Sequence, residues 1–148
     1  QVQDPFIQNY STSHWLYDFL YAKIPLKIEV KTNHNEYIDQ AHELVAALED
    51  KKAEDIVLLD IREVALFTDY FVICSGTSER MLRSLVKSAT DSMQTKFGLK
   101  GRVMGSPSNG WIAIDFMDIV VHIFSPKQRA YYQLEELWSQ GKVLLKIK

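Results

Sequence analysis

The sequence predicts an α/β fold, a mixed five-stranded sheet flanked by helices. Three observations carry that reading. Trp111 to Phe116 and Ile119 to Phe124 are dense in β-branched and aromatic residues around a tight turn, the pattern of a strand hairpin. Tyr70 to Ser75 is a short apolar run closed by Gly76, as a buried strand would be. Ile38, Ala41, Leu44, Val45 and Leu48, and later Met81, Leu82, Leu85, Val86, Ala89 and Met93, recur at helical spacing, so two amphipathic helices punctuate the strands.

Residues 1 to 34 differ in character and read as an arm of separate role, with the main domain over 35 to 148. Aromatics crowd the arm between Tyr10 and Tyr21 without a clear period, and Leu26 to Val30 alternates like a half-exposed strand. Those aromatics would make a sticky patch if left exposed, so the arm is expected to dock on the domain or on a partner. With Gln rather than Met at position 1, a trimmed chain is expected, and the arm resembles neither a secretory signal nor an Arg-rich transit peptide. Asn35 is placed to cap a helix over 36 to 52. Asp55 leads into a strand over Ile56 to Asp60, and Tyr70 to Ser75 follows a connector. Ser78 or Thr77 caps the second helix, which Gly98 stops. Arg102 to Met104 forms a short strand before a Gly-Ser-Pro-Ser-Asn-Gly loop and the hairpin. Ser125-Pro126 begins a last helix carrying Leu134, Leu137 and Trp138 as far as Gly141. Val143 to Ile147 alternates with lysines, the pattern of a short protected edge strand.

Composition sets bounds on function. A chain of 148 residues, 47% hydrophobic and 24% charged, suits one soluble domain with a full core. The net charge of −2 provides no basic field for nucleic acid, so any nucleic-acid partner would be met through protein or a local patch. The single cysteine, Cys74, excludes an internal disulfide and reads as a small core residue. No apolar run approaches the ~18–20 residues of a membrane span.

Five segments carry a resemblance. They are Ala53 to Asp60, Thr68 to Ser78, Gly110 to Asp115, Asp118 to Phe124, and Arg129 to Trp138. In this order and spacing the chain resembles the ribosomal silencing factors, also called Iojap proteins, over roughly residues 37 to 140. The resemblance implies a regulator of translation without enzymatic activity or cofactor. It also implies binding to the large ribosomal subunit through its fourteenth protein, with steric exclusion of the small subunit. It further implies a nucleotidyltransferase-like topology, homodimers of the free protein, and residence in the cytoplasm, or in an organelle matrix in a eukaryote. Met117 stands where the family commonly has glycine, a departure at the hairpin turn.

The candidate partner-binding residues are Asp69, Tyr70, Trp111, Asp115, Phe116, Arg129, Tyr131, Tyr132 and Glu135. Alternation puts Trp111, Ala113 and Asp115 on one strand face and Ile112, Ile114 and Phe116 on the other. A charge on an otherwise apolar strand suggests that its face meets water or a partner. Together with the resemblance, this assigns Trp111 and Asp115 to an interaction face. Asp118 reads as turn chemistry and His122 as a hydrogen-bonded structural residue. On the last helix Leu134 and Trp138 suit a core, whereas Arg129, Tyr131 and Tyr132 suit a recognition surface, being residue types that dominate interfaces; Tyr132 suits a core equally well. Asp69, Asp115 and Glu135 would complement a basic protein. Gly76-Thr77-Ser78 could cradle a phosphate, but an ordinary helix cap accounts for it more simply. An alternative function, a nucleotidyltransferase-like metal-dependent enzyme, would use that turn with Asp115 and Asp118. Three residues apart along a strand, those two carboxylates face opposite ways unless the turn intervenes.

Overall fold

The computed structural model describes residues 34–148, with side chains from Tyr37 onward. The arm assigned to residues 1 to 34 lies outside the described residues, apart from the helix start at His34. Helix α1 spans His34–Asp50, so Asn35 is inside the helix rather than capping it. Strand β1 (Glu54–Asp60) and β2 (Tyr70–Ser75) precede α2 (Glu79–Phe97). Then come β3 (Arg102–Ser106), a 3₁₀ turn at Pro107–Asn109, β4 (Trp111–Asp115) and β5 (Ile119–Phe124). Two short helices, α3 (Pro126–Tyr132) and α4 (Leu134–Leu137), lead to β6 (Lys142–Ile147).

The strands form one mixed sheet of order β3-β4-β5-β2-β1-β6. Only β2 and β5 run parallel, in register from Tyr70 opposite Ile119 to Ser75 opposite Phe124. Among the described residues the sheet therefore has six strands rather than five. The sixth is the lysine-bearing segment, paired antiparallel with β1 at the sheet edge.

Both faces of the sheet are covered. On one face Ala41, Leu44 and Leu48 of α1 and Leu82, Leu85, Ala89 and Met93 of α2 pack on Ile56, Leu58, Val72, Ile112 and Val121. On the other, Tyr132 and Leu134 from the two short helices pack on Leu59, Phe71, Trp111, Val120 and Phe124. This double cover explains why β2 and β5 read as unbroken apolar runs. Cys74 lies in the first core, where burial pushes its thiol up to about 12 and leaves it inert.

Local chemistry sets the boundaries of α2. Ser78 Oγ accepts the Met81 N–H at 3.1 Å, and Gly98 ends the helix in the left-handed region at φ 65°. Gly105 meets a different demand. With φ at 91°, a Cβ there would lie 2.2 Å from the Trp111 carbonyl oxygen, so the close pairing of β3 with β4 requires glycine.

The last helix is broken where a continuous one was expected. Gln133 adopts φ 47° between α3 and α4. Tyr132 and Leu134 are both buried in the second core, yet two residues along one helix point about 200° apart. The left-handed residue between them turns both side chains onto the sheet.

Candidate functional site

The candidate residues fall into two groups at opposite ends of the central strands. Trp111 and Asp115 mark the two ends of β4, roughly 13 Å apart at a strand rise of about 3.3 Å per residue. A standard interface covers about 800 Å² per partner, wide enough to reach from one group to the other.

The first group is an aromatic ladder rising from the core. The Phe71 and His122 rings meet edge to face at 4.6 Å, and the Trp111 Nε1–H donates to His122 Nδ1 at 3.1 Å. Trp111 stacks on Phe124 at 4.9 Å and contacts the Tyr132 ring at 4.5 Å. Tyr132 in turn meets Tyr131 edge to face at 5.0 Å. Trp111 is 0% exposed and Tyr132 is 3%, whereas Tyr131 reaches 38%. The ladder therefore begins in the interior and ends at the surface in one tyrosine.

The face assignment of β4 needs correction. Trp111, Ala113 and Asp115 do share a face, as alternation requires, but all three are buried rather than solvated, with Tyr132 of α3 lying against Trp111. Phe116 is buried on the opposite face, in the first core. Period-two patterning tells which residues face together. It does not tell what covers them, and here the cover comes from residues 126 to 138.

His122 is hydrogen-bonded and structural, as its sequence setting implied. Accepting the indole proton at Nδ1 fixes the neutral tautomer with its hydrogen on Nε2. Complete burial pushes its pKa down to about 3. Nε2 has no hydrogen-bond partner among the described residues.

Arg129 and Glu135 adjoin the ladder on α3 and α4. Arg129 Nε donates to Glu135 Oε1 at 2.9 Å, while Nη1 donates to the Asp55 carbonyl at 2.7 Å and Ser75 Oγ at 3.0 Å. The Arg129 side chain is 14% exposed. It clamps the two short helices to the ends of β1 and β2, a role its sequence position did not reveal.

The second group surrounds the β4–β5 turn. Asp115 Oδ1 accepts the Met117 N–H at 2.8 Å, so Asp115 supplies a carboxylate to this turn. Asp118 contributes its carbonyl, which accepts from the N–H groups of Asp69 at 2.9 Å and Tyr70 at 3.1 Å. Both Asp69 and Tyr70 are buried. The Arg62 guanidinium lies over the Tyr70 ring at 5.5 Å and pairs with Asp60 at 2.7 Å. Burial works to raise the Asp60 carboxyl, but the Arg62 bonds prevail and hold it below its usual range.

Met117 takes φ 77° and its neighbours are bridged by Asp118 N–H to the Phe116 carbonyl at 3.1 Å, a strained three-residue turn. This explains why glycine suits that place. Met117 at 62% exposure and Leu66 at 74% are large apolar side chains left at the surface. Sequence reading passed over both as candidates, although an apolar residue in a turn is itself a signal.

The Gly76-Thr77-Ser78 turn serves as the cap of α2. Among the described residues no group of three His, Cys, Asp or Glu side chains is placed to hold a metal ion. No helix among them is long and apolar enough to cross a membrane.

These features define an α/β domain with a doubly covered mixed sheet that presents a buttressed aromatic and a strained apolar turn. The family described as "Ribosomal silencing factor during starvation" matches residues 34–147, and the chain belongs to that family. A ribosomal silencing factor of Bacillus subtilis is 37% identical over 96 residues, 65% of this chain and 81% of that protein. The chloroplastic Iojap protein of Arabidopsis thaliana is 30% identical over 152 aligned residues, 95% of this chain and 63% of that protein. The mouse protein named "Mitochondrial assembly of ribosomal large subunit protein 1" is 32% identical over 99 residues, 65% of this chain and 43% of its own length. A crystal structure from Chromobacterium violaceum superposes with a TM-score of 0.66 at 29% identity, covering 69% of this chain and 85% of the other.

Proposed function

We infer that this ribosomal silencing factor binds the large ribosomal subunit through its fourteenth protein and represses translation by keeping the small subunit from docking. The family match across residues 34–147 carries the reading, and the name of the mouse relative points to the large subunit. The mechanism is occlusion, with no bond made or broken and no cofactor needed. A rigid sheet serves it well, because a surface ordered before binding loses little conformational entropy on association.

In this reading Tyr131 is the exposed anchor, held in place by Tyr132 and Trp111 behind it. Arg129 and Glu135 supply the polar rim on that side. Asp69, Tyr70, Asp115 and Phe116 shape the other end of the patch around the Met117 turn. The domain acts in the cytoplasm or an organelle matrix, forms a homodimer when free, and reads no nucleic-acid sequence. Residues 1 to 34 are an arm with a role of their own.

Calorimetry against the purified fourteenth protein tests the anchor. Tyr131→Ala should weaken binding about tenfold or more while leaving the unfolding temperature nearly unchanged. Wild-type affinity in that variant would remove Tyr131 from the interface, and no heat of binding by the wild type would refute the partner.

A further inference from the structure

A second surface lies between α4 and the sheet edge. Strand β6 is the last strand of the sheet, so its outer backbone edge is unpaired among the described residues. The β1–β6 register shifts between Leu58 and Leu59, which leaves Val143 opposite Leu59 and Lys146 opposite Val57. Directly opposed residues share a face. Val143 and Lys146 thus lie on the same face as Val57 and Leu59, beside the short helices.

The result is a groove of about 410 Å³ with Val57, Leu59, Val143 and Trp138 at its apolar lining and Lys146 and Lys148 on its rim. Val143 is 55% exposed there. Neither lysine forms an ion pair among the described residues. Lysines on an edge strand can serve to prevent mispairing, but that role does not account for an apolar side chain, Val143, left exposed beside them.

We propose that this groove is a docking site for an extended acidic segment of a partner protein, laid along β6 with an apolar side chain seated over Val57, Leu59 and Val143. Three features ask for the same occupant. An unpaired strand edge takes an extended backbone, and the apolar lining takes an aliphatic side chain. The lysines take carboxylates. Arg129, Asp55 and Glu135 also line the groove, Arg129 bound to Glu135. The partner differs in kind from a basic ribosomal protein, and its site shares Arg129 and Glu135 with the rim of the proposed ribosome contact.

The test uses the full chain and a short fluorescein-labelled peptide of alternating glutamate and valine. A peptide with lysine in place of glutamate and a single-stranded oligouridylate serve as controls. Anisotropy should show saturable binding of the glutamate peptide below about 100 µM, with neither control binding comparably. In ¹⁵N–¹H spectra the Trp138 indole cross-peak, assigned with Trp138→Phe, should move on addition of the peptide. The double variant Lys146→Glu, Lys148→Glu changes only exposed rim residues and should weaken binding about tenfold. The proposal is overturned by oligouridylate binding in preference to the peptide. It is equally overturned by peptide affinity that the double variant leaves unchanged, or by no peptide binding up to about 1 mM.

Discussion

Replacing Trp111 by phenylalanine separates what this residue does for the fold from what it does for a partner. The indole is fully buried, stacked on Phe124 and Tyr132, and its N–H is donated to His122 Nδ1 at 3.1 Å. Phenylalanine keeps most of the ring packing but removes the donor. A buried acceptor left without its donor costs about 1–3 kcal/mol. The unfilled part of the indole site adds roughly 1 kcal/mol. Trp111→Phe should therefore lose about 2–4 kcal/mol, a drop of roughly 10 °C in Tm for a domain of this size. Thermal unfolding by calorimetry or near-UV circular dichroism measures it directly. Well below that Tm, the folded variant should still bind large ribosomal subunits to within a fewfold. An unchanged Tm together with lost binding would refute the reasoning, because it would put the indole at the partner's surface. Trp111→Ala cannot make this distinction: its cost of about 3–5 kcal/mol for truncation alone approaches the whole stability of a marginal domain.

Three further outcomes follow from the same geometry. His122 titrates near 3 in the folded chain and near 6.5 when unfolded; between those values the unfolded state holds the extra proton, so stability falls as pH drops, by up to about 1.4 kcal/mol per pH unit. Urea unfolding at several pH values should show this slope, and His122→Phe should flatten it. Met117→Gly relieves a left-handed residue whose side chain is mostly solvent-exposed. It should raise stability by up to about 1 kcal/mol after the entropy of glycine is subtracted, seen as a higher urea midpoint at unchanged m. Arg129→Met strands Glu135, the Asp55 carbonyl and Ser75 Oγ; a loss of about 3 kcal/mol is expected in chemical unfolding.

The boundaries of β2, β5 and α2 were legible because each carries local punctuation. Gly76 closes one strand, the Met117-Asp118 turn separates the hairpin strands, and Ser78 and Gly98 bracket the helix. The burial of Trp111 was not legible, because its cover comes from α3, remote in sequence. Nor was the helix break at Gln133, which carries no glycine or proline; it exists because Tyr132 and Leu134 must both reach the sheet. Asp115 and Asp118 are equally plausible turn residues on paper, and only the placement of the Met117 N–H tells which carboxylate accepts it. The Arg129 clamp depends on the ends of β1 and β2 meeting one side chain from α3, a coincidence of tertiary structure alone.

Light scattering of recombined ribosomal subunits offers the sharpest trial of occlusion. Large subunits preloaded with this chain should fail to join small subunits in proportion to the bound fraction, and washing the factor off should restore joining. Full-rate formation of intact ribosomes with the factor still on the large subunit would contradict the idea that this domain acts as an obstacle.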